Sequence, residues 1–165
     1  MVSGECHYFL RRRYRLRVVE GQEFRASVVV RGGFLELRLR RKGVAREREE
    51  VLHRWYRAWL RVLIPPLLEK WETVLGVHPV GWGIKRMKTK WGSVSPTTRR
   101  IWLNLELAKK PVTCLEYLVV HELTHLIEPR HNDRFVCLMD THLPGWRGAR
   151  AELNRAPLAH EEWKY

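Results

Sequence analysis

The segment Val119-Val120-His121-Glu122-Leu123-Thr124-His125-Leu126 carries the residues best suited to chemistry. Two histidines four apart on a helix lie one above the other on the same face, so both imidazoles can reach one metal ion. Glu122, beside the first of them, can reach a zinc-bound water and take its proton as general base. A tetrahedral catalytic zinc takes three protein ligands and keeps its fourth position for water. Pro129 stops the helical run, the chain turns at Glu128-Pro129-Arg130, and His131 follows. A ligand placed after a turn approaches from a direction the helix cannot supply. His131 is therefore the expected third ligand, with Glu128, His142 and Asp140 as alternatives. Without a metal, the same histidines would be ordinary helix residues satisfied by hydrogen bonds. Three histidines and a glutamate at this spacing favour one zinc ion.

The elements that must hold these groups follow from the pattern around them. Leu115, Leu118, Val119, Leu123 and Leu126 form an apolar stripe that buries one side of the helix. Thr113 is its candidate N-cap, just after Pro111, and Glu116 stands at capping-box spacing. Asn132 or Asp133 caps a second helix through Phe135, Val136, Leu138 and Met139. Upstream, residues 7–19 alternate as one strand. Residues 25–30 and 34–39 flank Gly32-Gly33, a two-residue hairpin signal. Arg11, Arg13, Arg15, Arg17, Arg38 and Arg40 would share the solvent side of this sheet. Residues 46–64 have helical period, which Pro65-Pro66 breaks before it resumes over 67–75 and ends at Gly76. Between residues 77 and 107 the alternation predicts strands again, with a turn at Ser95-Pro96-Thr97-Thr98.

Composition bounds the class. The 165 residues are 45% hydrophobic with eight tryptophans, enough for a folded core. No apolar run is long enough for a membrane span and no signal peptide is visible, so a cytoplasmic protein is expected. Cys6, Cys114 and Cys137 are odd in number and lack paired spacing, which predicts free thiols. The 31 basic against 18 acidic side chains give a formal charge of +13, a field that attracts polyanions without base-sequence preference.

Several separate runs together resemble one family. They are residues 84–93 (Ile-Lys-Arg-Met-Lys-Thr-Lys-Trp-Gly-Ser), Ile101-Trp102-Leu103-Asn104, the HELTHL segment, and His131-Asn132-Asp133-Arg134-Phe135. With Pro144-Gly145-Trp146-Arg147 and Leu153-Asn154-Arg155, they resemble the YgjP-like metallopeptidase-type family, related to the WLM and SprT-like zinc proteins. The resemblance implies a zincin-like α+β fold with a small antiparallel sheet packed on helices and the HExxH motif on the active-site helix. It also implies His121, His125 and His131 as zinc ligands and Glu122 as catalytic base. Members read Trp-Gly-Ser-Cys where this chain has Val94, and the first family strands are missing before about His7. Residues 1–43 are accordingly expected to be a shortened N-terminal β-hairpin region, and 44–165 the metallohydrolase domain.

The expected activity is zinc-dependent hydrolysis, metallopeptidase-like, with residues 100–106 as an edge strand for an extended peptide. As the alternative, the family resemblance also implies hydrolysis of nucleoside triphosphates such as UTP. There Lys85, Lys88, Lys90, Arg99 and Arg100, with Asn104 beside them, would bind the substrate. A third reading, from another class, is a basic nucleic-acid-binding protein with a structural or vestigial zinc. The intact Glu122 weighs against it, because a structural site needs four ligands and no base.

Overall fold

The computed structural model describes residues 3–41 and 43–155; residues 156–165, the end of the second predicted region, lie outside the described residues. Four strands form an N-terminal sheet: β1 (Cys6–Phe9), β2 (Arg12–Glu20), β3 (Ser27–Arg31) and β4 (Phe34–Leu39), in the order β1-β2-β4-β3. Alternation along β4 turns Leu35, Leu37 and Leu39 into the core. The Gly32-Gly33 turn has φ of 55° and 79°, as a hairpin of this type requires. The single strand expected over 7–19 is instead two. Leu10 and Arg11 adopt φ of 45° and 73° and reverse the chain without a glycine. Outside contacts hold this turn: the Leu10 and Arg11 N–H groups donate to the carbonyls of Ala108 and Lys109 at 3.0 and 3.1 Å. That pairing is tertiary, so no local residue signalled it.

A single helix, α1 (Ala45–Leu75), continues through Pro65-Pro66, where the sequence predicted a break. The prolines remove two donors, but Arg61 and Val62, whose carbonyls lose them, are exposed and can bond water. On the other side Leu60, Ile64, Leu68 and Trp71 stay buried across the prolines. Packing therefore outweighs local propensity. Gly76 closes the helix at φ 65°, donating to the Glu72 carbonyl.

A second sheet has β5 (Gly81–Lys85), β6 (Gly92–Ser95) and β7 (Arg100–Asn104), in the order β5-β7-β6. Neither sheet is purely antiparallel, contrary to expectation: β2 runs parallel to β4, and β5 to β7. In both, a hairpin inserts its second strand beside an earlier one. This makes β7 central and β6 an edge, correcting the assignment of residues 100–106 as the edge strand. A 3₁₀ helix (Leu105–Lys109) then leads to α2 (Val112–Thr124), α3 (Asp133–His142) and α4 (Trp146–Arg155). The architecture is α+β, and one hydrophobic cluster joins Leu16 and Leu37 of the first sheet to Leu60, Leu103 and Leu118. Among the described residues the three cysteines are free, and no helix is long and apolar enough to cross a membrane.

Candidate metal centre

Helix α2 packs against α1, α3, α4 and β6, so from Tyr117 on it is buried on every side rather than along one stripe. Every residue from Tyr117 to Thr124 is buried. The helix begins after Pro111 and not at a Thr113 cap. Glu116 makes no capping box, because its carboxylate accepts from Lys70 Nζ at 2.7 Å and from Trp71 Nε1 at 3.0 Å. The end matters more. His125 is the C-cap residue, Pro129 follows, and Asn132 caps α3 by accepting from the Phe135 N–H at 3.0 Å. That turn returns His131 to the helix it left.

His121, His125 and His131 come together as a group that could hold a metal ion. The Nε2 atoms of His125 and His131 stand 3.2 and 3.1 Å from His121 Nε2. His125 Nδ1 donates to the Glu128 carbonyl at 3.1 Å, which leaves its Nε2 lone pair facing the cluster. Tyr117 Oη lies 3.5 Å from His121 Nδ1. Phe135 supports all three rings, with centroid separations of 5.0, 4.7 and 4.8 Å. Burial lowers the pKa of each imidazole, that of His121 to about 3, and keeps the group neutral.

Glu122 is 2% exposed and lies against β6. Burial pushes its carboxyl up to about 8, against the pull of the Lys90 charge and of a hydrogen bond from the Val94 backbone. Gly92 makes the room: a Cβ there would sit 2.5 Å from Glu122 Oε1. Sequence reasoning missed Gly92, Phe135 and Tyr117 as supporting residues. Only Tyr117 had a local signal, four residues before His121 on the same helix.

The alternatives to His131 are engaged elsewhere. The Glu128 carboxylate accepts from the Arg130 N–H at 3.2 Å, and Asp140 binds Trp146 Nε1 at 2.7 Å and the Arg147 guanidinium. His142 ends α3 and is not in the group. The predicted substrate residues do not converge either. Lys90 acts on Glu122, but Lys85 and Arg100 lie over the Trp102 ring, Arg99 donates to the His78 carbonyl, and Lys88 is exposed. Asn104 is fully buried and donates to the Met87 and Lys90 carbonyls at 2.9 and 2.8 Å. It shapes the loop before β6 and is not open to a substrate. Beside the histidines a cavity of about 100 Å³ is walled by Tyr117, Phe135, Val136 and Trp146, together with Arg150.

The sequence model of a family described as "YgjP-like, metallopeptidase domain" matches residues 1–156. No curated protein matches the chain. Among the solved structures similar over part of it are two zymogens. The metallopeptidase zymogen abylysin of Pyrococcus abyssi is 22% identical, covering 53% of this chain and 89% of its own, with a TM-score of 0.49. The metallopeptidase zymogen jannalysin of Methanocaldococcus jannaschii is 20% identical, covering 53% and 90%, with a TM-score of 0.48.

Proposed function

The chain belongs to the YgjP-like metallopeptidase family, and on that premise we propose that it is a zinc-dependent hydrolase acting on peptide bonds. The observation that carries this reading is the convergence of three neutral imidazoles beside a buried carboxylate. Ligands about 2.0–2.1 Å from a tetrahedral zinc stand roughly 3.3 Å from one another. The Nε2 separations of 3.1 and 3.2 Å fit that spacing. The donor set of three nitrogens and no thiolate is that of a catalytic site, which leaves one position open.

Zinc held by His121, His125 and His131 would supply a Lewis acid that acidifies water and polarises a carbonyl. The chain's own residues do the rest. Glu122, which the positive charge of a bound zinc would favour in its ionised form, takes the proton of the attacking water and returns it to the leaving amine. The Val94 N–H and the space at Gly92 hold its carboxylate in place. The free edge of β6, rather than β7, lies beside Glu122 and can pair with an extended peptide. The small aromatic cavity takes a neighbouring substrate side chain. The phosphate-binding alternative has less support, because its cations are spread over the Trp102 ring, the His78 carbonyl and open solvent.

The test is digestion of a peptide library by wild type and Glu122→Gln, with zinc content measured on both. Gln keeps the shape and one acceptor but cannot take a proton. The variant should bind zinc like wild type and cleave at least about a hundredfold more slowly. Equal cleavage by a zinc-loaded variant contradicts the assignment.

A further inference from the structure

Residues 3–41 contain ten arginines and no lysine, against four glutamates. Strand parity sorts them. Leu16 points into the core, so Arg13, Arg15 and Arg17 of β2 stand together on the opposite face, each exposed. The registers pair Tyr8 with Arg13, Arg15 with Phe34, and Phe34 with Arg31, which places all of them on that outer face. Tyr8 is 44% exposed. The Arg17 guanidinium lies over the Phe34 ring at 3.9 Å and donates to Glu36 at 3.4 Å. Arg38 holds the other oxygen of Glu36 at 3.2 Å. With this acid neutralised by two arginines, the rest of the face is net positive. It points away from α1, on which the inner side of the sheet packs and against which α2 is seated.

We propose that this outer face of the N-terminal sheet docks single-stranded nucleic acid, with Arg13, Arg15 and Arg31 on the phosphates and two platforms under the bases, the Tyr8 ring and the Arg17 guanidinium stacked on Phe34. Three arginines at every second residue of one strand form a straight cationic track with a repeat of roughly 7 Å. Guanidinium planes grip phosphate oxygens in pairs and also stack on bases, which ammonium groups do not. A run that uses only arginine, interleaved with aromatic rings, therefore favours nucleic acid over a generic anionic surface. Docking to a lipid surface draws on lysine equally well and gathers its apolar side chains onto one side. Here Phe34 lies between Arg15 and Arg31, and Tyr8 lies beside Arg13. The hydrogen bonds at Glu36 hold two of the guanidiniums in register before any ligand arrives.

The experiment titrates the full chain into a labelled oligouridylate of about 20 nucleotides, a duplex of the same length and phosphatidylserine vesicles, between about 50 and 200 mM salt. The oligouridylate should bind, with affinity falling linearly in log salt. Arg13→Ser/Arg15→Ser/Arg31→Ser should weaken it at least about tenfold and flatten the salt slope by about 2, the yield of three lost phosphate contacts. Tyr8→Ala should weaken the oligouridylate about fivefold or more and leave the duplex unchanged. The charge-matched Arg46→Ser/Arg54→Ser/Arg61→Ser, on exposed positions of α1, should stay within about twofold of wild type. Equal losses from both triple variants would show diffuse charge in place of a site and overturn the proposal. So would vesicle binding with the same arginine dependence, or no oligouridylate binding at the lowest salt.

Discussion

Burial acts on Glu122 and His121 in opposite directions, raising the carboxyl to about 8 and lowering the imidazole to about 3, because it disfavours the charged form of each. In the metal-free protein both shifts become stability. A raised carboxyl contributes stability that is fully present below the ordinary value of 4.5 and is lost as pH climbs through about 8. A lowered imidazole contributes stability that is present above 6.5 and is lost as pH falls towards about 3. Metal-free Glu122→Gln should therefore gain on metal-free wild type steadily from pH 4.5 to about 8. Melting curves in chelator at several pH values check this, and parallel curves for the two proteins would count against it. Of these residues the sequence revealed those whose partners are helical neighbours. His121, Glu122 and His125 are fixed by i, i+4 geometry, and His131 by the proline turn. Gly92 was invisible in this role, since its partner Glu122 is thirty positions away and only the fold brings them together.

At the scale of elements, β6 is positioned by what it lacks. Gly92 lets the strand approach α2 so closely that an added Cβ would meet Glu122 Oε1 at 2.5 Å and Cδ at 3.0 Å. Gly92→Ala should displace the carboxylate while the histidine group stays intact. The expected result is near-normal metal binding with cleavage reduced about a hundredfold, the usual effect of a displacement on the order of 1 Å. Metal content and cleavage rate on the same preparation decide it, and full activity would show that β6 can yield. Elements misread from sequence share one cause: tertiary contacts override the local signal. Pro65-Pro66 stays helical because Ile64 and Leu68 are buried on the other side. The Leu10-Arg11 turn is held by carbonyls of Ala108 and Lys109. The central place of β7 follows from the strand order β5-β7-β6, which alternation alone does not encode.

Across the whole molecule, chemistry and charge lie on different elements. The histidine group belongs to α2 and the turn after it, while the arginine track belongs to a sheet that reaches the same core through α1. Composition alone gave the total charge of +13, but strand parity was needed to place part of it on one face. The metal helix and several strands were legible because periodicity encodes them, and the α+β class through the family resemblance. Sheet order was not, because it depends on pairings between distant strands. In the proposed site three histidine nitrogens and no sulfur hold one zinc. X-ray absorption at the zinc edge, with metal content per chain, tests it most directly. One zinc per chain with nitrogen ligands at about 2.0–2.1 Å is expected, with a nitrogen shell depleted in His131→Ala. A shell containing sulfur at about 2.3 Å, or a wild-type protein that binds no stoichiometric zinc, would contradict it.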